Sequence, residues 1–435
     1  MTVTGRFVLL LAIGVLPIVL LGGTAGQATT IFVLWILLAL ILGGIDLALA
    51  ASPRRLSLSR RLPARVRLGE SVTSELFITN NGERMLHAAV RDAWQPSAGA
   101  GNNRTRLAIP AGERRIVTLT LAPFRRGERR VSQVTVRSFG PLGLWARQAT
   151  LNAPGHIRVL PPFNARKHLP SRLARLRELD GRTSVMIRGQ GTEFDSLREY
   201  VRGDDVRSID WRATARRGDV VVRTWRPERD RRVVIVVDTG RVSAARVGNE
   251  PRLDTAFEAA LLLAALATRA GDRVDFVAYD RRVRARVQGA QGAELLSRLV
   301  DAMALVEPEL IEMDWSAVPG QVRAITNQHA LVVLVTPVDA AGAATGLLAV
   351  LPQLTRSHTV VVASVTDPLI VQASTERGNR EEVYRAAAAE RSMLDILRVS
   401  AAIRQQGAEV VSGTPEALPP ALADHYIALK AAGRL

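Results

Sequence analysis

The chain has 435 residues, 58 Lys+Arg against 41 Asp+Glu, a net charge of +17 and no cysteine, a length that suits two or three cores rather than one. The missing cysteines exclude a disulfide framework, a thiol nucleophile and Cys-based zinc or iron–sulfur sites. Lys167 and Lys430 are the only lysines and neither follows a Gly-rich turn, the six histidines form no HExxH, and no GxSxG occurs; P-loop nucleotidases, that zinc-hydrolase class and nucleophile-elbow hydrolases are therefore removed.

Two apolar runs open the chain. Residues 7–23 begin FVLLLAIGVLPIVLL, and residues 31–50 read IFVLWILLALILGGIDLALA, broken only by Asp46. Each approaches the length of a bilayer-crossing helix. The connector GTAGQATT carries no charge, so residues 1–50 predict a transmembrane helical hairpin whose helices satisfy their own backbone groups in lipid. A cleaved signal peptide fits less well, because Arg6 is the only charge before the run and Pro17 lies inside it. Arg54, Arg55, Arg60, Arg61, Arg65 and Arg67 follow the second span. By the positive-inside rule this predicts a two-pass inner (plasma) membrane protein with its N-terminus and all later residues in the cytoplasm. Asp46 falls near the cytoplasmic end, where its carboxylate is expected to reach the interface or one of those arginines; anchoring is favoured over a proton relay.

Residues 51–165 read as a small antiparallel β-sandwich. SVTSELFITN (71–80) alternates apolar and polar positions, and AAVRDAW (88–94), RRIVTLTLA (114–122), RRVSQVTVRSF (129–139) and IRVLP (157–161) follow, separated by turn signals such as IPAGE and FGPLG. About five to seven such strands suggest an immunoglobulin-like shape, a kind of domain that usually binds or spaces other parts. Residues 166–230 form a basic connector starting RKHLPSRLARLREL. The charge is uneven: residues 51–235 carry 37 basic and 17 acidic side chains, whereas residues 236–435 carry 20 and 23. That asymmetry argues for modules with separate partners.

From residue 231 the pattern changes to continuous apolar strands alternating with helices. RRVVIVVDTG, RVDFVAYD, HALVVLVTP and TVVVASVTDP read as buried strands, RVRARVQG as a further one, and residues 253–271, 293–306, 345–356, 381–407 and 421–435 as helices. This predicts an α/β, doubly wound parallel sheet over 231–435. Ligands in such sheets lie beyond the carboxyl ends of the strands, and Asp238 ends the first of them.

The stretch GTEFDSLREYVRGDDVRSIDWRATARRGDVVVRTW (191–225) resembles the signature of a bacterial membrane-anchored family known only as a domain of unknown function, number 58 in its series. Glu193, Phe194, Leu197, Arg198, Tyr200, Gly203, Asp204, Arg207, Ile209, Asp210, Trp211 and Arg216 fall on the family's pattern, as does FGPLGLW (139–145). The resemblance implies the whole layout: a membrane hairpin, a sandwich, the signature, then a von Willebrand factor A-like domain. It also implies a partner, an AAA+ ATPase of the MoxR type. EFDSLREY spaces Phe194 and Leu197 as one or two helical turns, and the crowded Arg, Asp and Glu side chains predict a salt-bridged network. That network is expected to lock the connector or to form a docking surface. Catalysis is disfavoured, since carboxylates beside arginine stay ionised and make poor general acids.

Metal-competent A-like relatives end their first strand in DxSxS, which holds Mg²⁺ or Mn²⁺ through oxygen. Here Asp238 is kept, but Gly240 and Val242 replace both serines. Pro337 stands where relatives carry a second Asp, with Asp339 offset from it, and no Thr stands out in VEPELIEMDW (306–315). Arg241 would place positive charge beside Asp238. No metal and no other cofactor are expected. The composition therefore points to an interaction or adaptor protein of the membrane, not an enzyme, with the lipid bilayer as one partner; the resemblance implies the AAA+ ATPase and other membrane or envelope proteins as the others. Two alternatives are an Asp/Glu-dependent hydrolase and nucleic-acid binding through the Arg-rich 51–235 section. The latter is disfavoured because aromatics are only 4% and stacking platforms are sparse.

Overall fold

The computed structural model describes residues 1–186, 193–226, 231–248, 250–338 and 341–435, which divide into two compact units, Met1–Leu160 and Pro161–Leu435. The first unit opens with a two-residue strand, β1 (Thr2–Val3), then helices α1 (Gly5–Ile13), α2 (Val15–Leu21) and α3 (Ala25–Leu49). α1 and α2 are one apolar stretch interrupted at Gly14, whose bare Cα lies against the Trp35 indole. Pro17 falls at the third position of α2, where the missing N–H leaves no bond unmade. Thr24 and Gln27 form a capping box that starts α3. Among the described residues α3 is the one helix long and apolar enough to cross a membrane.

The sandwich follows directly. Its strands are β2 (Leu56–Arg61), β3 (Arg65–Arg67), β4 (Val72–Asn80), β5 (Leu86–Asp92), β6 (Arg104–Ile109), β7 (Arg114–Leu121), β8 (Gly127–Phe139) and β9 (Trp145–Leu160). One sheet runs β1-β9-β8-β5-β6 with β3 alongside β9, and the other runs β2-β4-β7. The inward positions, among them Leu76, Ile78, Leu86, Ile109, Val134 and Val136, form the core between them. Two of the flanking charges are placed by the sandwich. Arg60 is buried in it: its side chain is 3% exposed and forks onto Asp92 at 2.7 and 2.8 Å, with Ser74 also accepting at 2.9 Å. Asp46 does not reach an arginine. It is fully buried and accepts the backbone N–H groups of Leu142, Leu144 and Trp145 at 2.8, 2.7 and 3.1 Å.

The second unit begins with α4 (Leu169–Met186), whose Arg172 reaches Asp424 at 2.6 Å. Next comes a two-stranded piece, β10 (Glu193–Glu199) and β11 (Val221–Arg226), with α5 (Trp211–Arg217) between them. Then the large sheet is laid down: β12 (Arg232–Asp238), α6 (Arg241–Ala244), the small pair β13 (Arg246–Val247) and β14 (Glu250–Pro251), α7 (Arg252–Arg269), β15 (Arg273–Tyr279), β16 (Val283–Val287) and α8 (Gly292–Leu305). It continues through α9 (Val318–Arg323), β17 (Leu331–Val335), α10 (Ala341–Thr355), β18 (Thr359–Val365), α11 (Pro368–Thr375), α12 (Arg380–Gln405), β19 (Glu409–Gly413) and α13 (Leu418–Ala431).

The strand order is β16-β15-β12-β17-β18-β19. Five strands are parallel, but β16 runs antiparallel to β15, so the sheet is mixed where an all-parallel one was expected. A short link of three residues, 280–282, cannot make the long crossover a parallel neighbour needs. Successive residues of β12 point to opposite faces. Val233, Ile235 and Val237 enter a core with α7, α8 and α13. Val234 and Val236 enter the core under α9, α10 and α12. That is why this strand reads as a continuous apolar run.

Candidate functional site

The signature segment is a hairpin held by its own polar groups, and the helical reading of EFDSLREY is corrected: Glu193–Glu199 is a strand, in antiparallel register with Val221–Arg226. Extended backbone wins because β11 supplies a partner ladder some twenty residues further on, which local spacing cannot reveal. Glu193 and Phe194 lie opposite Arg226 and Trp225 in that ladder; their side chains fall outside the described residues. The Tyr200 N–H continues the ladder onto the Val220 carbonyl at 2.8 Å. Asp204 accepts from Arg198 at 2.5 Å and from the Val201 N–H at 2.9 Å, closing a turn in which Gly203 adopts φ +110°, a conformation that favours glycine.

Asp210 then caps α5. Its Oδ1 accepts the Arg212 and Ala213 N–H groups, each at 3.0 Å, and its Oδ2 accepts from Arg223 at 2.8 Å. The Ala213 amide, followed by the Arg223 guanidinium, holds the Asp210 carboxyl below the usual carboxylate range. Arg207 sits in the short turn before the helix, Trp211 begins α5 and Arg216 is in its last turn. Trp211 is 68% exposed, and Val201 and Val206 are each 62% exposed. Asp210→Ala should speed hydrogen exchange at the Arg212 and Ala213 amides roughly five- to tenfold, because a lost N-cap frees both donors. Asp210→Asn keeps an acceptor and should show a smaller change; equal rates in all three proteins would contradict the capping role.

A second constellation stands at the carboxyl ends of β12 and β17, the point where the strand order reverses direction. Asp238 is 1% exposed. Its Oδ1 accepts the Gly240 N–H at 2.7 Å and its Oδ2 accepts the Thr336 hydroxyl at 2.8 Å. Burial first, then the negative charges of Asp280 and Glu312, push the Asp238 carboxyl up to about 6, against the opposing pull of its two hydrogen bonds. Next to it the Thr239 hydroxyl donates to Asp280 at 2.9 Å. Burial acts to raise Asp280 too, but Arg284 at 2.6 Å, the amides of Arg281 and Arg282 and the Thr239 hydroxyl outweigh it and leave that carboxyl lowered.

Residues 307–315 strap across these strand ends. The Glu309 N–H donates to the Thr239 carbonyl at 2.8 Å, the Arg241 N–H to the Ile311 carbonyl at 2.8 Å, and the Asp314 N–H to the Asp280 carbonyl at 2.9 Å. A Cβ on Gly240 would lie 2.8 Å from the Ile311 carbonyl, so a serine at this place is incompatible with the strap. Beneath the strap Asp238, Val242, Glu312, Met313, Trp315 and Thr336 help line a cavity of about 10 Å³, room for one water.

Two expectations are changed here. Arg241 pairs with Glu312 rather than with Asp238, because its helix turns it outward toward the strap. The residue of the β17 end that meets Asp238 is Thr336, which sequence reasoning passed over; its signal is the single hydroxyl closing the apolar run before Pro337. Asp339 lies outside the described residues. The donor set does not suit a hard divalent cation. Both Asp238 oxygens are taken by the chain itself, Gly240 and Val242 offer no side-chain oxygen, and no group of three His, Cys, Asp or Glu among the described residues could hold a metal.

Residues 196–405 match the DUF58 family, described as a protein of unknown function. The matched region starts within β10, includes the Asp204 and Asp210 hairpin and the Asp238 constellation, and ends with α12. A comparison with curated proteins finds no match. Among solved structures, the CARDB domain of a Pyrococcus furiosus protein is similar at 15% identity over 24% of this chain and 94% of that chain, with a TM-score of 0.18. The human seminal-plasma complex of zinc 2-glycoprotein with prolactin-inducible protein gives 13% identity over 25% and 99%, TM-score 0.20. A FixG-related protein from Vibrio parahaemolyticus gives 8% over 24% and 96%, TM-score 0.17. At these scores the likenesses carry no inference about this chain.

Proposed function

We propose that this chain is a two-pass membrane protein of the inner (plasma) membrane whose cytoplasmic part binds other proteins. In this reading the apolar stretches 7–23 and 31–50 form a transmembrane hairpin. The mixed sheet is a von Willebrand factor A-like domain, and the partner is a MoxR-type AAA+ ATPase acting on membrane or envelope proteins. The observation that carries the reading is the sealed carboxyl edge. A small substrate or cofactor of a doubly wound sheet belongs there, yet among the described residues the cavity beneath the strap beside Asp238 has room for about one water. Recognition is then a matter of surface, and the DUF58 hairpin presents Val201, Val206 and Trp211 to solvent within eleven residues. Exposed tryptophan is the residue type most enriched at binding hot spots.

Crosslinking in native membranes, followed by mass spectrometry of copurifying proteins, tests this. An AAA+ ATPase should be recovered with the wild-type protein and reduced at least roughly tenfold with Trp211→Ser, a change worth about the energy of one hot-spot residue. Trp211 makes no contact on which the hairpin depends in the ladder described above, so the variant should fold. Recovery of no ATPase with an intact, membrane-bound chain would sink the proposal.

A further inference from the structure

We propose that the outward face of the larger sandwich sheet is a contact surface for anionic phospholipid headgroups of the bilayer; this rests on the membrane reading above. The register of the strands builds the face. Arg91 on β5 lies opposite Arg104 on β6, and Ala89 lies between Arg106 on β6 and Arg137 on β8. Leu86, Ala88 and Val90 point into the core, so Ala89 and Arg91 point out. Arg91, Arg104, Arg106 and Arg137 are all exposed. Four arginine positions thus surround Ala89 on one face of the sheet.

None of the four pairs with a carboxylate among the described residues; Arg137 donates to the Gln148 side chain at 3.1 Å. Like charges directly opposite across a strand pair are destabilising, and here no acid relieves them. A bound anion would, and guanidinium forks suit phosphate oxygens in particular. Position selects the source. Two residues beyond Arg137, about 7 Å of strand, β8 ends at Phe139, and the turn that follows holds Asp46 of α3 through three backbone amides. The cluster therefore begins within about a Debye length of the helix end, where headgroups of an anionic leaflet attract arginine. The rings on this face are the exposed His87, two residues before Ala89 on β5, and the half-buried Phe139 opposite it, too few for a run of stacked bases; the nearness of the helix end therefore favours lipid over nucleic acid.

The test uses the full chain in nanodiscs of phosphatidylcholine, alone or mixed with phosphatidylglycerol, with phenylglyoxal modification of each arginine read by mass spectrometry. Arg91, Arg104, Arg106 and Arg137 should be modified roughly fivefold more slowly in the anionic discs, and high salt should abolish the difference. The R104Q/R106Q variant should lose most of the remaining protection at Arg91 and Arg137. Soluble glycerol phosphate added to the neutral discs should not protect; protection there would assign the site to free phosphate and overturn the lipid assignment. Equal modification in both discs would overturn the proposal, as would protection by duplex DNA at physiological salt without protection by anionic lipid. Failure of the chain to enter either disc would instead overturn the membrane reading, and the proposal with it.

Discussion

Asp46→Ala will loosen the first unit by about 4 kcal/mol, since a bond to a charged group contributes about 1.5–3 kcal/mol and the three are not additive. The carboxylate is buried at the end of an apolar helix and is surrounded by donors rather than cations. Leu142 and Leu144, from the turn between β8 and β9, and Trp145, the first residue of β9, aim their N–H groups at it. Truncation leaves those amides buried without partners. The turn is fitted to the helix at other points as well. Gly140 lies against Asp46, with no room for a Cβ. A Cβ on Gly43 would approach the Trp145 ring to 2.7 Å. Phe7 meets the same ring edge-on, with centroids 5.5 Å apart. Helix and sandwich are thereby one body at this end. Hydrogen exchange of the full chain in detergent reads the effect. Protection of the β8 and β9 amides should fall about a thousandfold in Asp46→Ala, since each 1.4 kcal/mol is tenfold. Asp46→Asn keeps one carbonyl acceptor and should fall between the two. Protection unchanged in Asp46→Ala would show that packing alone seats the helix.

That contact also marks what the sequence could and could not disclose. The buried strands of the second unit are legible because each is an unbroken apolar run, and the alternation of β12 between two cores explains why. Asp238 is legible for the same reason, as the first charge after such a run. FGPLGLW stands out as a string, but its purpose lies in Asp46, ninety-six residues before the nearest amide donor, and no local period connects them. Arg60 reads as one of a cluster of flanking charges; only the packing of the two sandwich sheets brings it from β2 to Asp92 on β5. The hairpin of residues 193–226 misleads locally, because Phe194 and Leu197 stand at helical spacing while the ladder that fixes them lies on β11. The strap 307–315 has no period at all. Its form comes from backbone bonds to Thr239, Arg241 and Asp280, which are independent of side-chain pattern.

Asp238→Asn is expected to stabilise the second unit at neutral pH, by up to about 3 kcal/mol, given that one pKa unit corresponds to about 1.4 kcal/mol. The Asp238 carboxyl rises from an ordinary 3.8 to about 6 on folding, chiefly through burial. The folded chain therefore holds this proton more tightly than the unfolded chain does. The contribution of the group is complete below about pH 4, declines as the pH rises, and is lost above about pH 6. An asparagine keeps both contacts: its carbonyl can accept the Gly240 N–H, and its amide can donate to the Thr336 oxygen once that hydroxyl turns. It carries no charge to bury. The difference between variant and wild type should accordingly be near zero at pH 4 and grow toward its full value by pH 7.5. Urea unfolding of the full chain, followed by hydrogen exchange in β12 and β17 peptides, measures it at both pH values. The opposite result, a variant less stable at pH 7.5, would mean that the ionised carboxylate is held by a positive partner. Such a partner would be a bound cation or an arginine drawn in when the strap opens, and Asp238 would then belong to a binding site rather than to a sealed strand end. A strap that opens would leave one further mark: protection at the Glu309, Arg241 and Asp314 amides, which bond across it, would fall together while that of β12 stayed high.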